Sequence, residues 1–125
     1  MQFQPAYLIV GIVVTVIAVV FKKFPPKKIN MWYGYRSETS VESQEAWDAG
    51  QKYSSKLMII EGILLMIFGL IVGVMSARME NKIKNIILIS FVAVVIPIMF
   101  IYLIVATEIY LNKNFSSKKQ DKRKV

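Results

Sequence analysis

A chain of 125 residues with 55% hydrophobic residues, a formal net charge of +8 and a mean hydropathy of +0.49 has room for one domain of any class. It holds no cysteine and no histidine, which excludes disulfide frameworks, thiol catalysis, Ser-His and Cys-His constellations and the usual zinc sites. The class is decided by where the apolar residues fall. Residues 1–21 and 85–107 carry no charged side chain, and 57–77 carries only Glu61. Each run matches the about 17–25 residues that a helix needs to cross hydrocarbon. Three strands could not close a barrel and would leave unpaired backbone in lipid. The expected fold is an all-α membrane protein with three transmembrane helices, at about 5–21, 57–77 and 85–107. They form one membrane domain over 1–112, and a basic tail follows over 113–125.

The first run is uncharged at its start, and its basic cluster, Lys22, Lys23, Lys27 and Lys28, comes after it. A cleavable signal has the reverse order, so a retained helix is expected. Pro5 is tolerated in a first turn, Gly11, Thr15 and Ala18 share one face, and Pro25 and Pro26 end the helix. Residues 22–56 hold seven Lys/Arg and the tail six, against three in the turn between the second and third runs and none at the N-terminus. The positive-inside rule then predicts an N-out, C-in arrangement with the 22–56 loop in the cytoplasm. The charge of +8 is a topology signal, and no nucleic-acid partner is expected. The tail solvates and orients the last helix; attraction to anionic lipid, at roughly 1 kcal/mol per basic residue, is the alternative.

The loop is expected to be non-helical to about Thr39. Asn30, Gly34 and Ser37 favour turns, and Trp32, Tyr33, Tyr35 and Trp47 suit an interface. Thr39, Ser40, Val41 and Glu42 match a capping box, with Ser40 as the alternative N-cap. An amphipathic helix carrying Glu45, Trp47, Lys52 and Tyr53 should lead from there into the second span, with any bend at Gly50. That span carries Gly69 and Gly73, extended by Ala77 and preceded by Gly62. Such a small-residue face serves close packing, either within the three-helix unit or in a homo-oligomer through helix 2. Pro97 should kink the third helix.

Glu61 is the one ionisable residue well inside a span, and an intramembrane carboxylate is a functional candidate by default. Its alternative is pairing with Lys56, Lys52 or Arg36. Glu108 lies at the same membrane face, so both carboxylates could converge on Arg36 and pin the loop to the helices. No paired Asp motif, metal-ligand set or phosphate-binding glycine loop is present, so no enzyme and no cofactor is expected.

Asn30, Gly34, Tyr35, Arg36 and Ser37, then Ser40, then Glu45 and Trp47, resemble the signature of the SdpI family of bacterial membrane proteins. The resemblance covers roughly residues 25–107. Ser37 stands where threonine is usual in that family, and Ser43 and Gln51 stand where asparagines are expected. Founding members carry additional membrane helices before the motif, so this chain resembles a short three-helix member. The resemblance implies a multi-pass protein of the bacterial cell membrane that gives immunity against a secreted antimicrobial peptide. In some members it also implies signalling through a cytoplasmic regulator held at the membrane. The partners it implies are membrane lipid, a secreted peptide toxin and such a regulator. The alternative reading is a small oligomeric transport or accessory subunit that uses Glu61 as an ion or proton site.

Overall fold

The structure, a computed structural model, describes residues 4–116 together with Asp121, Arg123 and Lys124. Residues 117–120, 122 and 125 of the expected basic tail therefore lie outside the described residues. Among the described residues three helices form: α1 (Ala6–Lys23), α2 (Gln44–Ser76) and α3 (Asn81–Leu111), the last passing into a wider-turned segment, Asn112–Ser116. No strand occurs among the described residues. Each helix contains an 18-residue window long and apolar enough to cross a membrane, yet those windows are only 17%, 28% and 11% buried. Most of their aliphatic side chains, such as Ile9, Val16, Ile67 and Ile98, point outward. Helices that are apolar all round need hydrocarbon on the outside. The architecture is that of a multi-pass membrane protein.

Local chemistry sets the helix ends. Pro5 accepts hydrogen bonds from the N–H groups of Leu8 (3.0 Å) and Ile9 (3.1 Å), which opens α1. Phe24 N–H still reaches the Val20 carbonyl at 2.8 Å, and the two prolines that follow have no N–H to continue the ladder. The cap of α2 is Ser43, whose Oγ accepts the Ala46 N–H at 3.1 Å, and not Thr39 or Ser40. The hydroxyls of those two residues donate to Glu108 and to the Ser37 carbonyl instead. From Gln44 the helix passes through Gly50 without a break. Pro97 lies inside α3, where its missing N–H leaves the Ala93 carbonyl without a helical donor.

The helices run up, down and up. α1 and α2 touch closely through small residues: Gly11 lies against the backbone of Met66, Gly62 against Thr15 and Gly69 against Tyr7. A Cβ added to Gly11 would come within 2.6 Å of Met66 N. Gly62 and Gly69 therefore serve packing inside this chain, and Gly73 and Ala77 continue the buried side of α2. α3 returns along α2, stacking Phe91 on Phe68 (5.6 Å) and Tyr110 on Tyr53 (4.2 Å). The core, Tyr7, Leu65 and Phe91, sits toward the end with the short turn. There Tyr7 packs edge-on against Phe91 at 6.0 Å and donates its hydroxyl to the Lys84 carbonyl at 3.0 Å.

Gly50 differs from Gly62 and Gly69. A Cβ there would meet Leu111, Ser40 and Tyr35 at 3.4–3.5 Å, which is ordinary contact. Gly50→Ala should therefore stay within about 1 kcal/mol of the parent, helped by the better helix propensity of alanine. Gly62→Ala should cost about 1–3 kcal/mol through overpacking against Thr15. Thermal melting of both variants in one detergent checks the contrast; equal melting points would contradict the close α1–α2 approach.

Candidate functional site

The segment between α1 and α2 folds back over the ends of α2 and α3. Trp47, fully buried in the first turns of α2, donates its indole N–H to the Pro26 carbonyl at 2.7 Å. Gln44 Nε2 donates to the Lys27 carbonyl at 2.6 Å. Asn30 forms a side-chain turn: its Oδ1 accepts the N–H groups of Trp32 (2.9 Å) and Tyr33 (3.0 Å), and its Nδ2 donates to the Lys28 carbonyl (3.0 Å). The turn lifts Trp32 into an exposed position at the tip.

Gly34 then adopts φ +100°, a left-handed conformation that favours glycine. A side chain there would also collide with Pro26 and Gln51. The reversal presents the backbone of Tyr35 to Gln51, which grips it from both sides. Tyr35 N–H donates to Gln51 Oε1 at 2.8 Å, and Gln51 Nε2 donates to the Tyr35 carbonyl at 2.6 Å. From this fixed point the Tyr35 hydroxyl donates to Glu108 Oε1 at 2.8 Å, with the Ile104 carbonyl at 3.3 Å. The other carboxylate oxygen of Glu108 accepts the Thr39 hydroxyl at 3.2 Å. Ser40 is fully buried and bonds reciprocally with Ser37: Ser37 N–H donates to Ser40 Oγ (2.7 Å), Ser40 Oγ to the Ser37 carbonyl (3.0 Å) and Ser40 N–H to Ser37 Oγ (3.1 Å).

The two carboxylates do not converge on Arg36. Glu108 is taken by Tyr35 and Thr39, and Glu61 Oε1 is buried with no hydrogen-bond partner. Arg36 is exposed at the mouth of a cavity of about 470 Å³. Gly34, Tyr35 and Gln51 also line that mouth, and Glu61 lies deeper in the wall. Glu45 occupies the first turn of α2, where its charge opposes the positive helix end. The expected anchor was thus the wrong member of an adjacent pair: a neutral phenol, and not the guanidinium, reaches α3. Sequence reasoning also passed over Thr39 as a ligand of Glu108 and Gln51 as a clamp. The signal for Gln51 was its place on the face of α2 that carries Trp47, Ser54 and Ser55, all buried.

The model of the SdpI/YfhL protein family matches residues 27–106, which include the loop from Lys27 onward, α2 and most of α3. The chain belongs to the SdpI/YfhL family. Within it, the chain is 38% identical over 66 residues to "Uncharacterized protein YfhL" of Bacillus subtilis (strain 168), covering 53% of this chain and 60% of that protein. The alignment thus spans less than two thirds of the relative's length. No solved structure matches. The α1 helix and Glu108 lie outside the family match, so the phenol that belongs to the shared segment finds its acceptor just beyond it.

Burial, with the Glu108 carboxylate next to it, pushes the Tyr35 hydroxyl well above its ordinary pKa. A raised value means that the protonated, donating form stabilises the fold. That contribution is complete below about pH 10, the unfolded value, and is lost as pH rises toward the folded one. Tyr35→Phe should cost about 1.5–3 kcal/mol, as expected for a hydrogen bond to a charged acceptor. The variant should also lose less of its remaining stability than the parent on going from pH 9 to 11. Arg36→Gln, at an exposed position, should shift stability by no more than about 0.5 kcal/mol. Melting curves of the three proteins across that pH range check both statements; a larger loss for Arg36→Gln than for Tyr35→Phe would reverse the assignment.

Proposed function

We propose that this SdpI/YfhL protein is an immunity protein of the bacterial cell membrane, protecting the cell against a secreted antimicrobial peptide. What supports the reading is the family match over the loop and two helices, together with the resemblance carried by Asn30, Gly34, Tyr35, Arg36 and Trp47. The geometry favours binding over catalysis, because the loop polar groups are spent on one another. Glu108, Gln51, Ser37 and Ser40 each hold a backbone or side-chain partner within the loop and helix ends.

In this proposal the protein lies N-out and C-in, as its basic residues favour, and the peptide is met in the bilayer by the outward aliphatic faces of the helices or at their outer ends. The hydrogen-bonded loop fixes helix spacing from the cytoplasmic side. Its exposed residues, Trp32, Arg36 and Glu38, form a surface on which a cytoplasmic regulator could dock for signalling. A second reading, a transport or accessory subunit, draws support from the buried and unpartnered Glu61; it requires self-association, since three helices are too few to enclose a pore.

Expression in a strain sensitive to such a peptide tests the first reading. Survival should rise at least tenfold over an empty vector at matched membrane abundance, and Tyr35→Phe should reduce the gain in step with its lost stability. Equal killing with and without the protein would remove the reading. A strict monomer by mass measurement in lipid would remove the second.

A further inference from the structure

The cavity under the loop lies between α1 and α3 and is floored by α2, which contributes Gln51, Ser54, Ser55, Met58, Glu61 and Leu65. At about 470 Å³ it falls in the roughly 300–1,000 Å³ range of small-molecule sites. Gln51 and Leu65 are fourteen residues apart, about 21 Å along a helix rising 1.5 Å per residue. A cavity of that length and volume suits one aliphatic chain.

Its wall changes character along α2. The loop end is polar and opens at the exposed Arg36, with Tyr35 and Gln51 beside it, while Val14, Met58, Leu65, Met99 and Leu103 make the remainder aliphatic, with a further open side at the exposed Phe100 and Ile104. Glu61 interrupts that interior ten residues, or about 15 Å, in from Gln51. It is 7% exposed, and its Oε1 is buried without a hydrogen-bond partner. The polar residues on the same stripe do not reach it: Ser54 donates to the Gln51 carbonyl and Ser55 to the Lys52 carbonyl. Thr15, opposite on α1, donates to the Gly11 carbonyl. The carboxyl therefore lacks a donor, and its last torsion is soft enough to turn either oxygen toward the cavity.

We propose that this cavity binds an amphiphile with one primary ammonium group on an aliphatic chain. The ammonium donates to the Glu61 carboxylate, a charge-assisted hydrogen bond. The chain runs back toward the mouth past Met58, Met99 and Leu103. An anionic head is rejected at Glu61 by like charge, and Arg36 disfavours a second ammonium at the mouth. A free alkylamine and an aminolipid share this chemistry. The proposal stands apart from the immunity reading, because its test contains no toxin.

The full chain in phosphatidylcholine nanodiscs is titrated with dodecylamine, dodecanol and dodecyltrimethylammonium, and bound ligand is counted by native mass spectrometry. Dodecylamine should bind at least tenfold more tightly than the other two, since the alcohol lacks charge and the quaternary ammonium lacks N–H donors. Glu61→Gln, close in shape, should erase that preference, and Leu103→Trp, which fills the interior while leaving Glu61 in place, should abolish binding of all three. Competition by added lysophosphatidylethanolamine, a single-chain aminolipid, assigns the site to an aminolipid, and its absence assigns it to a free amine. Equal binding of amine and alcohol, or a preference that survives Glu61→Gln in protein with the parent melting point, overturns the proposal.

Discussion

The side-chain amide of Gln51 takes both backbone hydrogen-bonding groups of Tyr35, at 2.8 and 2.6 Å, much as a neighbouring strand would. Everything at the loop end of the protein is referenced to this pair. It requires the left-handed turn at Gly34 immediately before it, and it aims the Tyr35 ring across the bundle to α3. It also sets the mouth of the interhelical cavity, because Gly34, Tyr35 and Gln51 are that mouth. One residue of α2 thereby holds an irregular segment that has no ladder of its own to satisfy its backbone.

The two ends of the bundle are held by different physics. Near the short turn, contact is close and largely apolar: Tyr7, Leu65 and Phe91 form the core, and Gly11, Gly62 and Gly69 let α1 and α2 approach. Since lipid tails are as apolar as the side chains they would replace, such packing works through van der Waals contact between complementary surfaces. Near the loop, α1 and α3 separate around the cavity, and hydrogen bonds from Tyr35, Thr39, Gln44 and Trp47 close the structure. The carboxylate in this group, Glu108, is met by neutral hydroxyls, which avoids the cost of stripping water from a second charge.

Apolar runs of membrane-crossing length made the three helices readable from sequence, because hydrocarbon thickness is a constraint that acts on single segments. The glycine face of α2 was readable for a similar reason, although its partner could have been α1 or a second copy. The loop was harder. Thr39, Ser40 and Ser43 are all good caps, and the choice among them depends on Ser40 being buried against Gly50 and bonded to Ser37, which are tertiary facts. Arg36 drew attention because charges are conspicuous in a sequence. A stretch of backbone and a side-chain amide that complete each other across sixteen residues leave no such mark. Tyr7, fully buried and bonded to the start of α3, was hidden in an otherwise uniform apolar run.

The partners of Glu108 have a further consequence for how the chain assembles. Tyr35 and Thr39 lie 73 and 69 residues before it in the chain, whereas α1 and α2 are consecutive helices joined by residues 24–43. The α1–α2 pair can form while the rest of the chain is still being made. The tie between loop and α3 cannot: it exists only once the third helix lies in the bilayer, antiparallel to the second and at the right depth. The Tyr35–Glu108 bond thus closes the loop end last, and only around a bundle with all three helices in place.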